Sequence, residues 1–299
     1  MDLPITYKQL YVLLLFLGSS WMAFADAPLL RPYILSSNVQ GDMSKSSIEV
    51  KEALVRGGFE LIGEYEPDAE SHVLVVTNDY LKNIARTDLG AVFAVAQSVS
   101  LTRVSGKIQI AYTNPQYYQY AFQIKADLSV VNQQLKEVLG AQESFGARGI
   151  SQEKLSTYKY SYGMESFEDF LQLGQYNNQS QALKHVEQNL SAYSERLGKV
   201  FKIDIPGIAT TIFGVSIHQG QGSDRAISAA VDSAILKHTP RLPYSVVVRR
   251  GKVFALHPRF KLPLDFPDIK RTGDHSFTRI IRAPGAIEAT LRLLTQKPE

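Results

Sequence analysis

The feature that most constrains this chain is an internal repeat. Residues 98–122 read SVSLTRVSGKIQIAYTNPQYYQYAF, and residues 245–266 read SVVVRRGKVFALHPRFKLPLDF. Each segment opens as a Ser-led strand, turns at Gly-Lys, runs back as a second strand, meets a proline and ends in an aromatic-rich tail. Two strand-like runs joined by a short glycine turn predict a β-hairpin. A chain of 299 residues has room for two ordinary domains, so the repeat predicts two copies of one domain rather than one large enzyme fold.

The rest of each copy follows the hairpin's lead. In copy one, Pro32 to Ser37 predicts a short strand, and Ser46 or Ser47 is expected to cap a helix bearing Val50, Ala53 and Leu54. Phe59 to Tyr65 and His72 to Thr77 predict strands, and Leu128, Val131, Leu135 and Val138 keep helical spacing. In copy two, Leu155 to Tyr162 predicts the first strand, and Leu183, Val186, Leu190, Tyr193 and Leu197 an amphipathic helix ended by Gly198. Val200 to Ile205 and Thr210 to Ile217 predict strands. Ser223 or Asp224 is expected to cap a helix, and Pro284 to open a last one. The expected fold is α+β: two homologous domains, each an antiparallel sheet with helices packed on one face. The expected divisions are 1–25, 26–145 and 146–299, with the two copies meeting sheet edge to sheet edge as a pseudo-dimer.

Residues 1–25 predict a cleavable secretory signal. Lys8 precedes the apolar run Leu10 to Leu17, and Ala23-Phe24-Ala25 offers small residues for cleavage before Asp26. The protein is therefore expected to be periplasmic or secreted, without a transmembrane anchor after cleavage. It contains no cysteine, which excludes disulfides, thiol nucleophiles and a Cys-linked lipid. A net charge of +3 without any dense basic run argues against nucleic acid as a partner.

Several segments carry a family resemblance: HVLVVTND, SVSLTRV with KIQIAYTNP, VFKIDIPG, TIFGVSI, LPYSVVV with GKVFALHPRF, FPD and APGAIE. Together they resemble the bacterial domain of unknown function 302, in an exported tandem form, from about Arg31 to Leu294. The resemblance implies the α+β fold, two copies and export. The family has no established activity, so no catalytic residue or cofactor is carried over. One departure is Met164-Glu165-Ser166-Phe167, where the tandem form tends to carry a Met-Pro-Tyr-Phe-like segment.

The remaining candidates come from residue chemistry. His218, His238, His257 and His275 all lie in copy two, and convergence of the first three would suit a metal-assisted hydrolase. No pair has local metal-ligand spacing, and a structural role for each is the simpler reading. Tyr158, Tyr160 and Tyr162 alternate, and Tyr112, Tyr117, Tyr118 and Tyr120 crowd the end of the first hairpin. Such tyrosines can stack on a ligand or line the seam between the copies. Arg249, Arg250, Lys252, Arg259 and Lys261 form a basic cluster in sequence. Gly220-Gln221-Gly222-Ser223-Asp224 has the context of a phosphate loop but lacks the third glycine of a dinucleotide fingerprint. Asp274-His275-Ser276 sets triad residue types side by side, where they cannot relay a proton to one another. The expected function is binding of a small molecule in a cleft between the copies or against one sheet, with Tyr158, Tyr160, His218, Arg249 and His257 as ligand-binding residues. The alternatives are the hydrolase and an interaction protein of an envelope complex.

Overall fold

Both repeated segments fold as two-residue hairpins in the computed structural model, which describes residues 28–296. The expected signal, residues 1–25, lies outside the described residues. In each hairpin both turn residues take positive φ: Ser105 and Gly106 in copy one, Arg250 and Gly251 in copy two. That conformation matches the right-handed twist of the flanking strands.

Copy one comprises β1 (Tyr33–Gln40), α1 (Met43–Arg56), β2 (Glu60–Asp68), β3 (Ser71–Thr77), α2 (Asp79–Ile84), α3 (Leu89–Val92), β4 (Gln97–Val104), β5 (Lys107–Thr113), α4 (Pro115–Ala121), α5 (Ser129–Leu139) and β6 (Glu143–Phe145). After α6 (Gln152–Ser156), copy two comprises β7 (Leu171–Gln175), α7 (Gln179–Ala192), β8 (Leu197–Asp204), β9 (Thr210–Ile217), α8 (Asp224–Val231), β10 (Tyr244–Arg249), β11 (Lys252–Ala255), α9 (Pro258–Asp265) and α10 (Ala283–Arg292). The fold is α+β. The first sheet runs β2-β3-β4-β5-β1-β6 and the second β7-β11-β10-β9-β8, with every pairing antiparallel. Read from its other edge, the second sheet is β8-β9-β10-β11-β7, the same order as β2-β3-β4-β5-β1. The repeat seen in the hairpins thus extends to the whole sheet, and β6 is an addition to copy one.

Strand alternation assigns the faces. In copy one, Ile34, Leu74, Val99 and Tyr112 point toward α1 and α5, where Leu54, Val131 and Leu135 complete a buried core. In copy two, Phe213, Val215, Val246, Val248 and Val253 share a core with residues of α7 and α10. The opposite faces turn toward the other copy. There Ile212, Val247 and Phe254 of copy two join the core of copy one.

Each copy lays the segment before its hairpin against the other copy's sheet. Phe93 sits 6.2 Å from Phe254. Reciprocally, the short 3₁₀ turn Thr239–Arg241 lies on β4 and β5, where Thr102 donates to Thr239 at 2.9 Å. The copies therefore meet through these faces, and their sheet edges share no hydrogen-bonded ladder. Edges β2 and β8 do approach closely: a Cβ added to Gly63 would lie 2.3 Å from the Val200 carbonyl. Two separate sheets result, because the approach brings backbone against backbone without a ladder.

Three local expectations are corrected. Residues 155–162 form no strand: α6 ends at Ser156, an irregular stretch follows, and the first strand of copy two is β7. The tyrosine alternation misled because the three rings share no face: Tyr158 packs on Phe260, Tyr160 packs on Phe277 and Tyr162 is exposed. Helix α7 ends at Ala192 and Gly198 lies inside β8. Asp42, not Ser46 or Ser47, caps α1, accepting from the Lys45 amide, while Ser47 is buried against His72. Among the described residues, no helix is long and apolar enough to cross a membrane.

Candidate functional site

Beside the apolar contact between the copies, part of their seam is polar and built from tyrosines. Helix α9 ends with Pro263, Leu264 and Asp265, whose carbonyls have no partner within the helix. Three hydroxyls donate to them: Tyr158 to Pro263 at 2.9 Å, Tyr117 to Leu264 at 2.9 Å and Tyr33 to Asp265 at 3.0 Å. Asp265 is buried and accepts from Lys261 Nζ at 2.7 and 2.5 Å and from the Tyr118 hydroxyl at 3.3 Å. Burial holds the Asp265 carboxyl above its ordinary range and the Lys261 amine below its own, each against the pull of its partner. Nearby, Tyr65 donates to the buried Asp224 at 3.0 Å, and Arg241 donates to the Asp224 carbonyl at 2.8 Å. Tyr118, Ser98, Ser245, Arg241 and Lys261 surround a small cavity of about 50 Å³, room for no more than a few waters.

A much larger space opens beside this seam. A cleft of about 870 Å³ is bounded by Arg31 and residues 145–148 on one side and by segments of copy two within 231–238 and 266–275 on the other. Its apolar wall includes Phe145, Val231, Leu236, Phe266 and Ile269. That size and lining suit a small-molecule site.

His238 forms part of the wall. Its ring lies 4.8 Å from Phe266 and edge-on to Tyr33 at 5.3 Å. Nδ1 donates to Asp232 Oδ1 at 2.7 Å, while Asp232 Oδ2 accepts from the His238 amide, also at 2.7 Å. The carboxylate thus fixes the ring's orientation, with Nε2 lying 3.3 Å from the Gly146 carbonyl. Gly146 is required there: its φ is +94°, and a Cβ would lie 2.7 Å from the Tyr33 ring. The same stretch is tied to copy two by the Arg148 amide, which donates to Asp268 at 2.6 Å.

The five residues singled out from sequence lie apart. Tyr158 belongs to the seam. Tyr160 packs its ring 5.4 Å from Phe277. His218, just past β9, contacts Ser216 at 2.8 Å. Arg249 pairs with Thr210 at the opposite end of β9, roughly 25 Å along the strand at about 3.3 Å per residue. His257 caps α9, its Nδ1 accepting from the Arg259 amide at 3.2 Å, and lies 3.7 Å from Glu165. Consequently His218, His238 and His257 do not converge, and among the described residues no group of three or more His, Cys, Asp or Glu is placed to hold a metal.

The other motifs have structural duties. Lys261 is buried against Asp265, and Arg259 pairs with Glu165 at 3.1 Å, so the basic cluster is not one patch. Gly222 lets the loop pack on α10, where a Cβ would lie 2.7 Å from the Ile287 amide. Asp224 directs its carboxylate at the Ile217 amide, placing negative charge where a phosphate would sit. Asp274 pairs with Arg279, His275 contacts the Ala230 carbonyl and Ser276 donates to Gly273, so no relay forms.

Sequence reasoning named His238 and His275 but missed Arg31, Phe145, Arg148, Phe266 and Lys270. The available signal was the Gly146-Ala147-Arg148-Gly149 junction and the FPD segment, which bring opposite walls together. No protein-family model, curated protein or solved structure matches the chain.

Proposed function

We propose that this is an exported protein, of the tandem kind its motif segments resemble, that binds a small ligand in the cleft between its two copies. The observation that carries the reading is the 870 Å³ cleft with walls from both copies and a histidine oriented by Asp232. A binding site formed between two units couples ligand to their relative placement, and the tyrosine seam beside it keeps that placement rigid. The five sequence-selected residues give way here to the cleft residues as sites to test.

Native mass spectrometry on protein recovered from the exporting compartment tests the proposal. Bound ligand mass is expected on the wild type and not on Ser233→Trp, whose indole would obstruct the cleft from an exposed position. Ligand retained by Ser233→Trp, or a specific protein captured in place of any small molecule, would sink the reading and favour an envelope-complex role. The hydrolase reading has less support, because its three histidines stand apart.

A further inference from the structure

The charges on the cleft are unevenly paired. Both of its carboxylates have partners. Asp268 accepts from the Arg148 amide at 2.6 Å and faces the Arg148 guanidinium at 3.5 Å. Asp274 is paired with Arg279. Two of the cations have none: among the described residues, no carboxylate lies within ion-pair distance of Arg31 or Lys270. Arg31 donates once, from Nη1 to the Ser144 carbonyl at 2.8 Å, which leaves most of its donors unused. Lys270 is exposed, but its backbone is fixed by the Phe277 amide, which donates to its carbonyl at 2.8 Å. Phe145, Phe266 and Ile269 line the same cleft.

Resting on the reading of the cleft as the binding site, we infer that its ligand is an organic anion: a carboxylate, sulfonate or phosphate on an apolar body. Arg31 and Lys270 hold the anionic group, and the Phe145–Phe266 wall takes the body. A guanidinium offers two parallel donors to such a group, and an ammonium adds a point charge. A cationic ligand would find both carboxylates already occupied, and a fully polar anion would leave the aromatic wall uncovered.

The test uses fluorescence titration of the purified protein with two probes of one shape: anilinonaphthalene sulfonate and its uncharged parent, phenylnaphthylamine. The sulfonate is expected to bind about tenfold or more tightly than the parent. The double variant Arg31→Gln, Lys270→Gln is expected to remove most of that advantage while leaving the parent's affinity unchanged. Ser233→Trp is expected to exclude both probes. If the sulfonate has no advantage, or keeps it in the double variant, the anion assignment is overturned while the cleft remains a binding site. If Ser233→Trp still binds both probes as well as the wild type, or the wild type binds neither, the cleft reading fails and the anion assignment with it.

Discussion

Helices α4 and α9 occupy the same place in the two copies. Each follows the hairpin, each has proline at its first position, and each is capped by the preceding side chain, Asn114 or His257. Yet α4 reads PQYYQYA and α9 reads PRFKLPLD. In the aligned repeat, Tyr118 stands where Lys261 does and Phe122 where Asp265 does. Copy one supplies most of the hydroxyl donors to the seam, Tyr158 of the joining segment supplies another, and copy two supplies carbonyls and a buried ion pair. The helices meet each other, as do edges β2 and β8, which is the pattern of a two-fold pseudo-dimer. The difference teaches that the fold is duplicated while the chemistry of the contact is divided.

Alkaline titration should break the division most strongly. Tyr33, Tyr65, Tyr117 and Tyr118, all from copy one, have phenols raised well above the ordinary range, by burial first and then by neighbouring tyrosines or carboxylates. A raised folded pKa gives stability that is full below the unfolded value and is lost as pH rises. Above about pH 10, each phenol kept protonated should cost about 1.4 kcal/mol per pH unit. Near-ultraviolet tyrosinate absorbance should appear in two stages, exposed tyrosines first and the seam together with cooperative unfolding. A single smooth titration would contradict this.

Next in size is the ion pair. Asp265→Leu leaves the buried Lys261 without a counter-charge, with only the Arg241 carbonyl as acceptor, and should cost about 3–5 kcal/mol in urea denaturation. Lys261→Met with Asp265→Leu, which makes copy two as uncharged here as copy one, should recover most of it. Gly63→Val sets a side chain against the Val200 carbonyl and should cost about 3 kcal/mol; a neutral result would show that the β2–β8 approach is not tight. Tyr117→Phe removes one α9 carbonyl's donor and should cost about 1 kcal/mol.

Glu64 sharpens the comparison at the small end. Burial pushes its pKa up, but hydrogen bonds and charge from Lys51 and His72 outweigh this and hold it low. Its stabilisation is present above about pH 4 and fades as pH falls through the lowered value; at this half-exposed site it should amount to a few tenths of a kcal/mol. Glu64→Gln should flatten the acid limb of stability against pH by that amount.

The hairpins were legible because a glycine turn between β-branched runs leaves little else to form. The shared strand order followed from the repeat. Strand β7 was hidden: LQLGQ offers only two apolar residues, while the alternating Tyr158, Tyr160 and Tyr162 mimic a strand more convincingly. The tyrosines Tyr117 and Tyr118 were legible as a seam, though not their targets, since α9 carbonyls carry no sequence mark. The cleft was hardest to read. Arg31, Phe145, His238 and Lys270 come from four segments that only the packing of the two copies brings together.

The 50 Å³ cavity carries a consequence for how such a chain can arise. In a dimer of identical subunits, any residue beside the symmetry axis confronts its own duplicate. A lysine at the position of Lys261 would then face a second lysine, each with its own aspartate, and no tyrosine could stand opposite it. Joining the subunits into one polypeptide releases that constraint, because the two positions can mutate separately. Tyr118 opposite Lys261, sharing Asp265, is a solution open to a fused gene and closed to a symmetric ancestor.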